Sequence, residues 1–271
     1  MRLQEGRYLP QDWCGPSQMN SRSLDLSVII PAYNEELRLP KSLDRIMAYL
    51  NARPYRVEII VVDDGSTDST VRMVKEYQQK CPALRLISNQ SNRGKGFSVR
   101  RGMLEAHGEI ALFTDADLST PIEEADKLLA ALREQGYDAA IGSRGMDRSL
   151  IEVHQSLLRE LAGVFFNRMV RWVMGIHFSD TQCGFKAFYR ERSRIIFEQQ
   201  RIERFGFDPE ILFLAKRHKL RVTEVPVHWS HDAGTKVNVA ADGIRMFFEL
   251  LVIRWNSIQG RYPQARPEQA G

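Results

Sequence analysis

The chain has 271 residues, 43% of them hydrophobic, and a formal net charge of +4. That is enough apolar material for a sizeable core in one α/β unit, and the small positive excess suits anionic ligands or a membrane surface rather than nucleic acid. Three cysteines, Cys14, Cys81 and Cys183, form no C-x-x-C pair, which argues against both a zinc site and a disulfide framework.

Residues 1–24 mix Pro, Gly, Gln and Ser without periodicity and read as a loose arm. They contain no apolar leader, and no window reaches the ~20 apolar residues of a spanning helix. The expectation is a cytoplasmic protein that stays soluble or lies on the cytoplasmic face of a membrane. "LSVIIP" (26–31) reads as a buried strand, followed by helical spacing of Leu39, Leu43, Ile46, Met47 and Leu50. "VEIIVVDD" (57–64) is a second strand, with Ser66 or Asp68 placed to cap the next helix. "LRLISN" (84–89) is a third, and "NRGKG" (92–96) opens a further helix. "EIALFTDAD" (109–117) and "YDAAIGSR" (137–144) complete five strands.

This alternation predicts an α/β fold with a mostly parallel, doubly wound, Rossmann-like sheet. Beyond 145 the spacing predicts a long helix over 150–176, with Leu158, Leu161, Phe165, Met169, Trp172 and Ile176 on one stripe. A strand at "CGFKAFYR", a helix at "DPEILFLAKRHK", a strand at "LRVTEVPVHW" and an amphipathic helix over 240–256 follow. No repeat or linker divides the chain. The reading is one domain over 25–257, with a nucleotide-binding half (25–145), an acceptor-side half (146–257) and a tail (258–271).

Ligands of such sheets bind at the carboxyl ends of the strands, and "AYNEE", "DDGSTD", "NRGKG", "TDAD" and "GSR" all fall there. Residues i and i+2 of a strand face the same way, so Asp115 and Asp117 at the end of the fourth strand share one target. Two close carboxylates repel, and a divalent cation relieves them; Mg2+ or Mn2+ is held by one or two carboxylates plus substrate phosphates. Asp63 and Asp64, at the end of the second strand, can accept hydrogen bonds from a base or ribose. "NRGKG" brings backbone N–H groups and Lys95 toward phosphate. Neither a Walker A loop nor G-x-G-x-x-G is present, which removes the main support for hydride transfer.

Taken in order, "VIIPAYNEE", "VVDDGSTD", "NRGKGFSVRRG", "TDADLST", "GSR" and "DTQCGFK" resemble the family 2 glycosyltransferases of GT-A fold. More narrowly they resemble the polyprenyl-phosphate sugar synthases. "RIERFGFDPEILFLAKR" and "EVPVHW" are most similar to the dolichyl-phosphate β-glucosyltransferases rather than the mannosyl branch. The resemblance spans roughly residues 26–256. It implies that Pro31, Tyr33 and Glu35 line the nucleotide pocket, with Val61 and Asp63 near the base, Lys95 near the nucleotide and Ala116 on the ribose. It implies that Asp115 and Asp117 hold the metal, that Arg144 contacts phosphate, and that Asp180, Gln182 and Lys186 serve the sugar and acceptor side. Asp117, Arg144 and Lys186 are the candidate catalytic set. Ser119 stands where some mannosyl synthases carry a further metal ligand, Gln.

The implied activity is inverting transfer of a hexose, glucose from UDP-glucose, to a polyprenyl or dolichyl phosphate. The alternatives are GDP-mannose as donor, a non-lipid acceptor, or a non-catalytic nucleotide-binding protein at a membrane. A nucleotidyltransferase is disfavoured because "PAYNEE" has no glycine. Asp208 and Glu210 stand open as a base or as structural anchors. Arg159, Arg168 and Arg171 on the 157–176 helix mark it as the membrane-facing one. The last helix, with Arg245 and Arg254, is expected to be mostly core.

Overall fold

The computed structural model describes residues 24–153, 157–230 and 239–263. The N-terminal arm expected over 1–24 lies almost wholly outside the described residues. Four strands, β1 (Leu26–Ala32), β2 (Val57–Asp63), β3 (Leu84–Ser88) and β4 (Ile110–Phe113), alternate with helices α1 (Leu39–Asn51), α2 (Thr70–Lys80) and α3 (Lys95–Glu105). Then come α4 (Ala125–Arg133), β5 (Ala139–Ser143), β6 (Ile151–Val153), α5 (Leu157–Met174), β7 (Lys186–Tyr189) and α6 (Arg190–Gln199). α7 (Phe207–Arg217), β8 (Val222–Pro226), β9 (Trp229–Ser230) and α8 (Val239–Ile258) close the order.

The main sheet runs β3-β2-β1-β4-β7-β5-β8. All neighbours are parallel except β7, which runs against both β4 and β5. β6 and β9 pair separately. Both sheet faces are covered, so the central strands are apolar on consecutive residues rather than alternating. Ile30 of β1 packs with α1 and α4 through Leu39, Leu43 and Leu128, while its neighbour Ile29 packs with α3 and α7 through Val99, Met103 and Ile211.

The expected GT-A-type architecture is present, with five differences. β4 ends at Phe113 rather than running to Asp117, because the following Thr-Asp-Ala-Asp turns away. The helix expected over 150–176 starts only at Leu157, after strand β6. α5 buries Phe166, Val170 and Met174, spaced by four, and leaves Trp172 of the expected stripe in solvent. Its N-terminal side chains are outside the described residues.

The last helix is not mostly core. Leu250 and Ile253 are buried, but Ile244, Phe248, Leu251, Val252, Trp255 and Ile258 are exposed. The packed unit also runs past the expected boundary at 257, since Tyr262 is buried and its hydroxyl donates to Glu210 Oε1 at 2.6 Å. Among the described residues no helix is long and apolar enough to cross a membrane.

Candidate active site

β1 and β4 are adjacent, and the chain order reverses there, so the carboxyl ends of these strands frame the crevice such sheets use for ligands. Asp115 and Asp117 sit on this rim, on a turn rather than a strand. Leu118 N–H donates to Asp115 C=O at 3.1 Å, and Leu118 takes φ +49°. The strand-alternation argument for the pair therefore does not hold; the turn brings them together instead.

Each carboxylate has a cation from elsewhere in the chain. Lys95, first residue of α3, forms an ion pair with Asp115 Oδ1. Arg38 points Nη1 at Asp117 Oδ2 from 3.6 Å. The other Asp117 oxygen accepts from Ser119 N–H at 3.0 Å and Ser119 Oγ at 2.9 Å.

The electrostatics confirm that the two acids sense each other. Burial first, and the charge of Asp115 second, push Asp117 above the ordinary carboxylate range, against the Ser119 hydrogen bonds and Arg38. Burial alone would lower Lys95, but Asp115, then Asp208 and Asp117, outweigh it and hold the ammonium above its ordinary value. A site that confines several carboxylates around one lysine in this way favours a cation.

The loops at the carboxyl ends of β2 and β3 are built around carboxylates that accept backbone N–H groups. Asp64 Oδ1 takes Arg93 N–H at 3.0 Å and Oδ2 takes Gly94 N–H at 2.7 Å, which clamps "NRGKG". Gly94 has φ +116°, and a side chain there would strike the Glu203 backbone; glycine is required on both counts. The clamp sets the start of α3 and hence Lys95.

Asp63 is buried at the end of β2 and receives Ser66 N–H at 3.2 Å. Glu35 is engaged by Arg38 through two bonds, Nε–Oε2 at 2.7 Å and Nη2–Oε1 at 2.6 Å. Pro31 is the penultimate residue of β1, Tyr33 is exposed beyond the strand, and Ala116 is buried in the turn between the two aspartates. Val61, expected near the base, is wholly buried and packs in the core beneath the rim.

The opposite side of the crevice is stiffened by buried ion pairs. Arg144, directly after β5, grips Asp180 through Nε–Oδ2 at 2.6 Å and Nη2–Oδ1 at 2.9 Å. Burial would raise Asp180, but the guanidinium dominates and brings its carboxyl down to about 2. Glu224 of β8 accepts both Ser179 N–H, at 2.7 Å, and Asp180 N–H, at 2.9 Å. Asn167 of α5 accepts Thr181 Oγ1–H at 3.0 Å. Gln182 donates its N–H to Asp180 Oδ1 at 3.0 Å, while its buried Nε2 has no hydrogen-bond partner. Burial, then the Asp180 charge, pushes the Cys183 thiol up to about 11, so it is neutral at physiological pH.

Lys186, named as a catalytic candidate, is fully buried at the start of β7. Its ammonium pairs with Asp208 Oδ1 and donates to Cys183 C=O at 2.6 Å. Asp208 is pushed up by burial and held against that by Lys186 and then Lys95. The signs thus alternate inward from the rim: Asp115, Lys95, Asp208, Lys186. Glu210 accepts Ile202 N–H at 2.8 Å and Tyr262 OH at 2.6 Å. Both acids left open by the sequence are therefore buried anchors, committed to partners within the fold.

The residues suit a divalent ion. Among the described residues no cluster of three metal-ligating side chains exists, so Asp115 and Asp117 would leave most positions to water and substrate phosphate, as hard cations at phosphate sites prefer. Gly184 supports this reading, because a Cβ there would collide with the Asp115 carboxylate; the bare backbone leaves that carboxylate its space. The motifs did not point to Arg38, Asn167 and Glu224 as structural partners. Arg38 lies three residues after Glu35, a pairing distance on helical backbone; Asn167 and Glu224 carry no local signal.

The sheet and its crevice have the architecture of a transferase fold, and the chain belongs to glycosyl transferase family 2, whose model matches residues 27–192. Within the curated proteins, it is similar to the dolichyl-phosphate beta-glucosyltransferase of Drosophila melanogaster, 39% identical over 88% of this chain and 77% of that one. The human protein of that name is 35% identical over 91% and 80%. Among solved structures, glucosyl-3-phosphoglycerate synthase from Mycobacterium tuberculosis, with Mn2+, UDP-glucose and phosphoglyceric acid, superposes with a TM-score of 0.62 at 18% identity, covering 90% of this chain and 82% of that one. A Pyrobaculum calidifontis mannosyltransferase with GDP-mannose and Mn2+ gives 0.58 at 23%, covering 88% and 65%. At these identities the structural likeness establishes the fold alone.

Proposed function

We propose that this protein transfers glucose from UDP-glucose to a dolichyl or other polyprenyl phosphate, with inversion at the sugar carbon, at the cytoplasmic face of a membrane. The observation that carries the reading is the pair of facing charge sets on one rim: Asp115 and Asp117 with Lys95 on the donor side, Arg144 with Asp180 on the other. The curated relatives supply the sugar and acceptor class.

The chemistry follows from these groups. A phosphate monoester is largely ionised at neutral pH, with a second pKa of ~6, so its oxygen attacks the anomeric carbon without a protein base. The new C–O bond forms as the bond to the diphosphate breaks, and UDP leaves with the electron pair. Bound Mg2+ or Mn2+, held by Asp115 and Asp117, would neutralise the diphosphate. Lys95, kept protonated by its carboxylate neighbours, stabilises charge growing on the leaving group. Arg144, fixed by Asp180, presents its guanidinium to the incoming phosphate. Lys186 and Asp208 hold Lys95 from below, as positioning residues rather than groups that touch substrate.

The test is transfer of radiolabel from UDP-glucose into a lipid fraction containing polyprenyl phosphate, with added Mg2+ or Mn2+. Label in the lipid fraction, lost on adding a chelator, supports the reading. Label from GDP-mannose instead, or none in lipid from either donor, overturns it.

A further inference from the structure

Among the described side chains of α8, eight are exposed: Ile244, Arg245, Phe248, Leu251, Val252, Arg254, Trp255 and Ile258. None is acidic and none is an uncharged polar residue. The six apolar ones recur at spacings of three and four, which places them on one continuous stripe. At about 100° per residue, Arg245 falls on one flank of that stripe and Arg254 on the other. The neighbouring α5 packs beside α8 and adds exposed Arg168, Arg171 and Trp172, the last 86% exposed. An apolar face of this length is a contact surface rather than ordinary solvent-facing helix.

We infer that the exposed face of α8, with Trp172 of α5, seats the protein on an anionic phospholipid surface. The inference rests on the proposed function for its biological sense and on the residues for its physics. Aromatic and aliphatic side chains enter the headgroup boundary while flanking arginines meet lipid phosphates. A second copy fits poorly: a two-fold contact pairs the patch with itself, and none of the exposed side chains described on it is acidic to meet the arginines. The placement also serves the crevice. Glu249, on the inward side of α8, accepts Gly206 N–H at 2.9 Å, and Gly206 belongs to the 202–207 segment that packs on Gly94 and Gly96. A bilayer against α8 therefore lies beside the rim that holds Lys95.

The experiment sediments the full chain with vesicles of phosphatidylcholine, alone or mixed with phosphatidylglycerol, and compares Phe248→Asp/Trp255→Asp with Arg245→Ala/Arg254→Ala. The wild type should prefer the mixed vesicles, and the first variant should bind at least about tenfold more weakly. The second should lose about fivefold per arginine and most of its salt sensitivity. With a short, water-soluble prenyl phosphate and no vesicles, the Phe248→Asp/Trp255→Asp variant should turn over within about twofold of wild type, while turnover on vesicle-borne acceptor falls with binding. Unchanged vesicle binding by that variant overturns the inference. So does a wild-type dimer that the same substitutions dissociate, which would give this face to a second copy. Vesicle binding that responds as expected, with no prenyl phosphate accepting glucose, supports the docking surface and removes the proposed acceptor instead.

Discussion

The two sides of the crevice hold their charged groups by different means. On the β3-β2-β1-β4 side, carboxylates accept backbone N–H groups, Asp64 from Arg93 and Gly94, Asp63 from Ser66 and Asp117 from Ser119, and the ion pairs of Lys95 with Asp115 and Arg38 with Asp117 stand at the rim. On the β7-β5-β8 side, where Glu224 also takes two backbone N–H groups, the ion pairs withdraw their carboxylates into the fold, Asp208 with Lys186 and Asp180 with Arg144. A carboxylate fixed by backbone keeps part of its charge for a ligand, and its loss need not disturb the core. A buried ion pair positions both partners firmly, but removing one leaves an uncompensated charge away from water.

Substitution on each side should expose this contrast. Asp117→Asn is expected to lower glucosyl transfer by roughly 10³-fold, about 4 kcal/mol, with a melting temperature unchanged or slightly raised, since it relieves repulsion from Asp115. Transfer assays and thermal melts check both halves of that expectation, and a large drop in melting temperature would erase the contrast. Lys186→Met should instead cost about 3–5 kcal/mol in urea unfolding, and adding Asp208→Leu should recover most of the stability without restoring turnover. A neutral single substitution would show that the pair is not buried as described.

Acid sharpens the comparison. Asp180 has a folded pKa of about 2 against an ordinary 3.8. Its folded value is depressed, so its contribution is complete above the ordinary value and is lost as pH falls through about 2. Urea titrations of wild type and Asp180→Asn should differ by an extra ~2 kcal/mol at pH 6 that disappears toward pH 2. Gly184→Ala should be the mildest change, about tenfold in kcat or roughly 1.4 kcal/mol, through displacement of Asp115. Steady-state kinetics with near-wild-type unfolding would confirm it.

Much of the β3-β2-β1-β4 side was legible in the sequence because each strand there is a short apolar run ending in polar residues. "LSVIIP" and "VEIIVVDD" lie in β1 and β2 almost residue for residue. The error at β4 is local: Asp-Ala-Asp reads as strand by alternation, yet the chain turns at Leu118. The other side was less legible because its contacts are distant in sequence. Lys186 looks like a polar site residue beside Gly184, and only its burial against Asp208, 22 residues away, shows its partner. α8 misled for another reason. Its apolar residues encircle the helix, and periodicity cannot say which arc meets protein and which meets something else.

The reversed direction of β7 has a consequence for how such a molecule can change its substrates. Every other strand of the main sheet leaves it at the crevice, whereas β7 enters there, with Lys186 opposite Phe113. The segment between α5 and β7 is thus delivered to the rim already tethered at both ends by α5 and the sheet. Under the proposed function, exchanging residues 176–178 while keeping Ser179, Asp180 and Thr181, which tie this stretch to Glu224, Arg144 and Asn167, would test whether it selects the receiving molecule independently of the nucleotide end.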